Sequence, residues 1–381
     1  MSKKIYGAVA GLAAAALLVT ACGGSSTSTE SSAAPAASSA AAAASSAAPA
    51  ATAKIGVILP DSASSDRWEN ADRKFLGDAF TAAGVEFDIQ NANGDKAKFA
   101  TIADQMLASG VSALLIVNLD SPSAAAVVAK AAAQGVPVID YDRLTLGGGS
   151  NYYVSFDNVA VGTKIGEGLV KCMQDAGNMD GPVALLNGSP TDNNATLFKQ
   201  GYEKVVTDAG YTIADDQSVP DWDNTKAGTI FEQMYTKANG DFVGVASAND
   251  GLGGAAIAVL DRNGQAGKIP VTGQDATDEG LQRVLLGTQC MTVYKAIKAE
   301  AEAAAALAIA LSNGDQAGAD ALATGVTADS ETGKDVASVL LVPVGITPET
   351  VKDVVADGFT SADKICTTDE LKAACEKYGV K

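Results

Sequence analysis

GVSALLIVNLDSPSAAAVVAKAAAQGVPVIDYD, residues 110–142, and GDFVGVASANDGLGGAAIAVLDRNGQAGKIPVTGQD, residues 240–275, are built on one plan. Each reads as an apolar strand, a polar Asn/Asp turn, an Ala/Val-rich helix, a Gly turn, a second strand and then an aspartate. The strands are continuous β-branched runs rather than alternating ones, as expected of parallel strands buried on both faces. Parallel neighbours need a crossover, and the helix supplies it. In the first copy the helix is read as Ser121–Gln134, with Ser121 as N-cap and Pro122 at the first helical position. A duplicated βαβ plan predicts a two-domain α/β protein with parallel sheets covered by helices.

The same alternation extends outward from these copies. Strands are expected at Ile55–Leu59, Glu86–Ile89, Ala113–Val117, Val136–Tyr141, Val183–Leu186, Thr212–Val219, Phe242–Ser247, Ile269–Thr272 and Gln289–Val293. An Ala-rich helix, Ala296–Leu311, an apolar strand, Val339–Val344, and a last helix after Pro348 complete the pattern. Late elements can return to an earlier lobe, so the lobes are expected to be discontinuous: 54–143 with 296–341, and 144–295 with 342–381. A chain of 381 residues is long enough for two such cores.

Ahead of this region, Lys3 and Lys4 precede an apolar run, Ile5–Val19, too short to span a bilayer comfortably. Residues 1–21 read as a signal peptide. The run ends in Val19-Thr20-Ala21-Cys22-Gly23, which resembles a bacterial lipobox and makes Cys22 the expected lipidation site. Residues 22–53 are Ser/Ala-rich with one charge, Glu30, and cannot supply a core. As a flexible tether they would hold the folded part on the order of 30 Å from the membrane. The expected location is extracytoplasmic, anchored by N-terminal lipid.

The formal net charge of −18 disfavours nucleic acid as a partner, and the absence of histidine removes Ser-His-Asp and Cys-His chemistry. No catalytic residue, metal site or cofactor is expected. With Cys22 assigned to lipid, Cys172, Cys290, Cys366 and Cys375 allow three complete pairings, of which Cys366–Cys375 is favoured as a local bridge.

In open parallel sheets, ligands bind beyond the carboxyl ends of the strands, and there this chain is consistently polar. The residues are Asp61 with Arg67 and Trp68, Asn118 and Asp120, Asp142 and Arg143, Asp192 to Asn194, Asn249 and Asp250, Gln274 and Asp275, and Lys295. Singly, each also fits a turn former or helix cap. Together they supply the acceptors and donors that sugar hydroxyls require, while the only tryptophans, Trp68 and Trp222, offer faces for the C–H surfaces of a ring. The alternative for these indoles is that each caps its own core. No Gly-Lys-Ser/Thr phosphate loop is present.

In order along the chain, Asp66-Arg67-Trp68, Asp140-Tyr141-Asp142-Arg143, Ser155-Phe156-Asp157-Asn158, Gly188-Ser189-Pro190-Thr191-Asp192-Asn193-Asn194-Ala195, Gly273-Gln274-Asp275-Ala276 and Met291-Thr292-Val293-Tyr294-Lys295 resemble the D-xylose-binding and multiple-sugar-binding proteins of the type I periplasmic binding family. The resemblance spans Lys54 to Phe359. It implies two Rossmann-like lobes joined by three hinge crossings, sugar held in the cleft, and no covalent chemistry. Carried over by motif position, Arg67, Arg143, Asn194, Asn249, Asp275 and Lys295 would hydrogen-bond the sugar, and Trp68 and Trp222 would pack its faces. The segment Pro60–Asp66 looks closer to the multiple-sugar binders. The implied role is a monomeric capture subunit of an ABC importer, delivering a monosaccharide to a permease driven by a separate ATPase. A receptor presenting sugar to a membrane sensor and a glycoside hydrolase using paired carboxylates are the alternatives.

Overall fold

The computed structural model describes residues 53–381; Cys22 and nearly all of the expected tether lie outside them. Strand β1 (Lys54–Leu59) sits between β2 (Glu86–Asn91) and β3 (Ala113–Ile116), both parallel to it, and the order continues through β4 (Val138–Tyr141) and β5 (Tyr152–Phe156). The first two strands are joined through α1 (Arg73–Ala83), the next two through α2 (Lys96–Ala108), and β3 and β4 through α3 (Ser121–Ala133). The cap of α3 is Asp120, whose carboxylate accepts from Ser123 N at 2.8 Å, so Ser121 is already helical. The expectation placed the cap one residue late, because Asp and Ser stand side by side and both can fill it.

The second lobe begins with α4 (Asn158–Asp175), followed by β6 (Pro182–Asn187), α5 (Asn193–Asp208), β7 (Thr212–Ser218), α6 (Asn224–Lys237), β8 (Gly244–Ser247), α7 (Asp250–Arg262), α8 (Asp278–Leu286) and β9 (Thr292–Tyr294). Its sheet order is β7-β6-β8, all parallel. Beyond β8, the segment expected as a strand at Ile269–Thr272 joins only through single bridges, Val245 with Val271 and Thr272 with Met291. Gly162 and Gly201 let α4 and α5 pack backbone to backbone, since a Cβ at Gly201 would stand 2.5 Å from Thr163 N.

Helix α9 (Ile297–Ser312) then returns to the first lobe, burying Ala301, Ala304 and Leu307 against the same face of the sheet as Leu76 and Phe80 of α1. The opposite face is covered by Phe99 and Ile102 of α2 and Val127 of α3. A hairpin, β10 (Gly325–Asp329) and β11 (Lys334–Leu341), completes the first sheet by pairing β11 with β5. After Pro343 the chain crosses again, and β12 (Val344–Ile346) pairs antiparallel with β9.

The crossings between lobes therefore fall at residues 156–158, 294–297 and 341–344. The first corrects the expected boundary after Arg143, because β5 pairs with β4 and β11 and so belongs to the first lobe. Disulfides join Cys172 to Cys290 and Cys366 to Cys375. Among the described residues no helix is long and apolar enough to cross a membrane.

Candidate functional site

The carboxyl ends of both sheets meet around one cavity. Ser64, Ser65, Arg67, Trp68, Asp142 and Arg143 line it from the first lobe, and Asp192, Asn194, Phe198, Trp222, Asn249, Gln274, Asp275 and Lys295 from the second. All eight residues expected from the sequence to contact sugar are among them. A wider opening of about 460 Å³, bounded by residues 62–66, Asn224 and Arg283, adjoins it through Ser64, Ser65, Asn249 and Asp275.

Local turns aim the first lobe's contribution. Asp61 folds the loop after β1 by accepting from Ala63 N (2.8 Å) and Ser64 N (2.6 Å), so its role is that of a turn former. Ser64 Oγ in turn accepts from the Trp68 indole N–H at 3.1 Å. The guanidinium carbons of Arg67 and Arg143 lie 4.4 and 5.4 Å from the Trp68 ring centroid. After β4, Asp140 accepts from Thr145 N and Oγ1, both at 2.7 Å, while Asn118 Nδ2 donates to Arg143 O at 3.1 Å. These bonds fix the turn that presents Asp142 and Arg143; burial pushes the Asp140 carboxyl up to about 7, against the pull of Thr145.

From the second lobe, Asp192 caps α5 by accepting from Asn194 N at 2.9 Å. It also accepts from the Trp222 indole N–H at 3.1 Å and pairs with Arg143 Nε at 3.0 Å, so one carboxylate ties an indole to the opposite lobe. Burial raises its pKa, opposed by Arg143 and reinforced by Asp142. Trp222 sits in a turn with positive φ at Asp221 (60°) and at itself (56°), edge-on to Phe198 with centroids 6.4 Å apart. Its ring occupies the space a side chain at Gly188 would need. Asn249 Oδ1 accepts from Leu252 N at 2.8 Å as the cap of α7, which leaves its amide nitrogen for a ligand.

Asn194 is more committed than its sequence reading suggested. Its Nδ2 donates to Asp142 O at 2.9 Å, and its Oδ1 accepts from Asn158 Nδ2 at 2.9 Å and Tyr153 Oη at 3.2 Å. It clips the lobes together at the cavity wall. Lys295 Nζ lies 3.4 Å from Asp275 Oδ1 and 3.7 Å from Asp142 Oδ2, next to the second crossing. Burial would raise the pKa of Asp142, but Lys295, Arg67 and Arg143 outweigh it and hold the carboxyl down at about 2.

Gln274 Oε1 lines the cavity buried and with no partner among the described residues; Asp275 Oδ1 makes no hydrogen bond and faces only the Lys295 ammonium at 3.4 Å, and Arg143 Nε meets Asp192 only as an ion pair. Buried polar atoms are ordinarily satisfied, so two acceptors with unmet hydrogen bonds in a cavity also lined by Trp68 and Trp222 suit a small polyhydroxylated ligand. The arrangement is poor for acid–base chemistry. Asp142 is ionised far below neutral pH, and both oxygens of Asp192 are occupied.

Phe198, Ser64 and Ser65 were absent from the expected contacts. Phe198 stands one helical turn beyond Asn194 on α5, a spacing that could have found it but reads first as core. Asp142, Asp192 and Gln274 stood among the strand-end polar residues without an assigned contact. Asp250, from the same group, is structural: it accepts from Thr277 N (2.9 Å) and Gln289 Nε2 (2.7 Å), and burial pushes it up to about 6. Asp120, as the cap of α3, is likewise structural.

Comparison with known proteins agrees with this architecture. Residues 55–316 match the family model described as periplasmic binding protein domain. The D-xylose-binding periplasmic protein of Escherichia coli K12 is 35% identical over 316 residues, covering 81% of this chain and 92% of that protein. The multiple sugar-binding periplasmic receptor ChvE of Rhizobium radiobacter is 29% identical, covering 82% and 92%. The crystal structure of a carbohydrate transporter solute binding protein from Chloroflexus aurantiacus, in complex with D-glucose, superposes with a TM-score of 0.71 at 27% identity, covering 82% of this chain and 98% of that one. With two parallel-sheet lobes, three crossings and a polar-aromatic cavity between them, this chain belongs to the type I periplasmic binding protein family.

Proposed function

We propose that this protein is the sugar-capturing lipoprotein of an ABC importer, binding D-xylose or a related aldose between its lobes and delivering it to a permease. The observation that carries the reading is the cavity itself, where Trp68 and Trp222 accompany Gln274 Oε1 and Asp275 Oδ1, buried acceptors with unmet hydrogen bonds. The 35% identity to a D-xylose-binding protein supports xylose as the first ligand to try. The similarity to a multiple sugar-binding receptor favours a second reading, a broader aldose range with a signalling role.

A calorimetric panel of pentoses and hexoses tests the reading, with xylose expected among the tightest ligands. Enthalpies indistinguishable from buffer for every aldose would remove it, and comparable binding of glucose, galactose and arabinose would favour the second reading. Because the cavity draws contacts from both lobes, sugar should favour closure about the three crossings. X-ray scattering with saturating xylose is expected to give a smaller radius of gyration. An unchanged profile, with binding verified in the same sample, would count against hinge closure.

The anchor rests on Cys22 within Val19-Thr20-Ala21-Cys22-Gly23 and on the tether that follows, whose single charge is Glu30. Two or more acyl chains would hold stably, each buried CH₂ contributing about 0.8 kcal/mol. Cys22→Ala should abolish lipidation and normal processing. Intact-mass analysis finding the same lipidated amino terminus in that variant would rule the anchor out.

A further inference from the structure

Glu300 stands in the first turn of α9, fully buried, and does not line the cavity. It reaches the site through Arg67, which does: Glu300 Oε2 accepts from Arg67 Nη2 at 2.7 Å. The same guanidinium serves two more carboxylates, Asp72 through Nε (2.8 Å) and Nη2 (2.7 Å), and Asp142 through Nη1 (2.8 Å). The other cations beside this group are Lys295, 3.7 Å from Asp142 Oδ2 and shared with Asp275, and Arg143, which also draws the Asp142 carboxyl down and is paired with Asp192. The Tyr141 hydroxyl donates to Asp72 Oδ1 at 2.6 Å, and that of Tyr153 to the Asp142 carbonyl at 3.0 Å, so the neighbouring phenols face other groups.

Counting Asp192 and Asp275 with the three carboxylates on Arg67, five buried carboxylates face three cations, and the cluster is short of positive charge. Each candidate for the compensating proton can be weighed by its contacts. Asp142 is held ionised by Lys295 and Arg67, and Asp72 has both oxygens engaged by Arg67, one also by Tyr141. Of the three carboxylates on Arg67, Glu300 alone has a bare oxygen: Oε1 is buried with no hydrogen-bond partner among the described residues. An ionised carboxylate left half unsolvated in the interior costs far more than a neutral acid with one unmet bond.

We propose that Glu300 is a positioning residue for Arg67 and does this work as a neutral carboxylic acid, keeping its proton at neutral pH in the folded protein. Burial, opposed by Arg67 and reinforced by Asp142 and Asp72, moves the group in the same direction, well above the usual carboxylate range. The neutral acid gives Arg67 an acceptor without adding a further negative charge, so the guanidinium keeps its field toward the cavity. The consequence for sugar rests on the reading of Arg67 as a ligand contact; the protonation state does not.

The test uses the whole chain, sugar-free, labelled with carbon-13 at the glutamate side-chain carboxyl, so that Asp140 and Asp250 are silent. At pH 7 one resonance is expected at the protonated position, and it should vanish in Glu300→Gln. A wild-type spectrum in which every glutamate carboxyl is ionised at pH 7 overturns the proposal whether or not the variant accumulates. Thermal melts add a pH profile. A folded-state pKa raised above the unfolded value of about 4.3 gives stability that is complete below that value and is lost as pH rises toward the folded pKa. The melting temperature of Glu300→Gln should therefore gain on wild type between pH 5 and pH 8, and a constant offset counts against a retained proton. At pH 7, Glu300→Gln should keep xylose affinity within about threefold, whereas Glu300→Ala, lacking the acceptor, should lose about tenfold or more. Equal losses in both variants would show that the charge is required and overturn the proposal. If no aldose binds even the wild type, the proposed function fails while the spectrum still decides the state of Glu300.

Discussion

Asp275→Ala is expected to weaken sugar binding by on the order of a hundredfold or more while changing the melting temperature of the sugar-free protein only modestly. Asp275 Oδ1 is buried at the cavity wall without a hydrogen bond, 3.4 Å from the Lys295 ammonium, and Oδ2 meets only Ser65 Oγ at 3.4 Å. A carboxylate so placed can accept from two hydroxyls, each charged hydrogen bond contributing roughly 1.5–3 kcal/mol, and about 1.4 kcal/mol is tenfold in affinity. The competing role, capping the helix that follows, belongs to Thr277, whose Oγ1 accepts from Gly280 N at 3.0 Å. Backbone strain enters separately, because Asp275 has φ 97°, where an alanine is less at ease than an asparagine. Asp275→Asn keeps the shape and removes the charge, so it should reproduce most of the affinity loss with less change in melting. Calorimetry returning wild-type affinity for the best aldose in a folded Asp275→Ala protein would take this residue out of the site.

Arg67→Met should be the most destabilising single change at the cavity, by about 3–5 kcal/mol near neutral pH, because it strands buried carboxylates that it had neutralised. Arg67 is itself held charged: burial works against it, but the Asp72 and Asp142 carboxylates outweigh that and raise its pKa well above its ordinary value. The pH dependence has a definite sign. In the wild type, Asp142 is held at about 2, so its contribution is present above the unfolded value of about 3.9 and lost as pH falls toward 2. Without Arg67 that depression is weakened and the cluster takes up protons more readily, which favours the folded variant in acid. Urea unfolding should therefore find a larger deficit at pH 7.5 than at pH 4.5. A variant within about 1 kcal/mol of wild type at both would mean that water or rearrangement compensates the cluster.

The parts of the fold that were legible in sequence were those whose signals are local. Residues 110–142 announce a strand, helix and strand because the apolar runs, the turn residues and the helical spacing all lie within a few turns of chain. The strand ends were readable as a set rather than singly: the eight expected contacts line one cavity, while Asp61, Asp120 and Asp250, from the same positions, hold turns and caps. Strand β5 was missed because Tyr152–Phe156 is short, aromatic and interrupted by Ser155, and its identity depends on pairing with β11, far along the chain. Strand β10 alternates apolar and polar residues and the start of β11, Lys334–Ser338, is largely polar, so both read as loop until β5 is there to receive them. Val339–Val344 was read as one strand, yet Pro343 cannot donate to a ladder, and the run divides into the end of β11, a crossing and the start of β12. Asn194 was legible as a cavity residue but not as a clip, since its partner Asp142 lies in the other lobe.

The bond between Cys172 and Cys290 joins positions 118 residues apart, from the last turn of α4 to the residues just before β9. Nearly the whole sheet of the second lobe lies inside that span, while all three crossings, at residues 156–158, 294–297 and 341–344, lie outside it. The lobe in this sense contains a covalent ring, hung from the hinge by most of α4 and by β9, which lie outside the ring. A protease that cuts an exposed turn within it, such as Asn239–Asp241, opens the ring without releasing a fragment, and both ends stay tethered beside the residues that carry Lys295 to the cavity. For a protein working outside the cytoplasm, where no new copy of a damaged lobe can be folded in place, backbone breakage and loss of the ligand cavity become separate events.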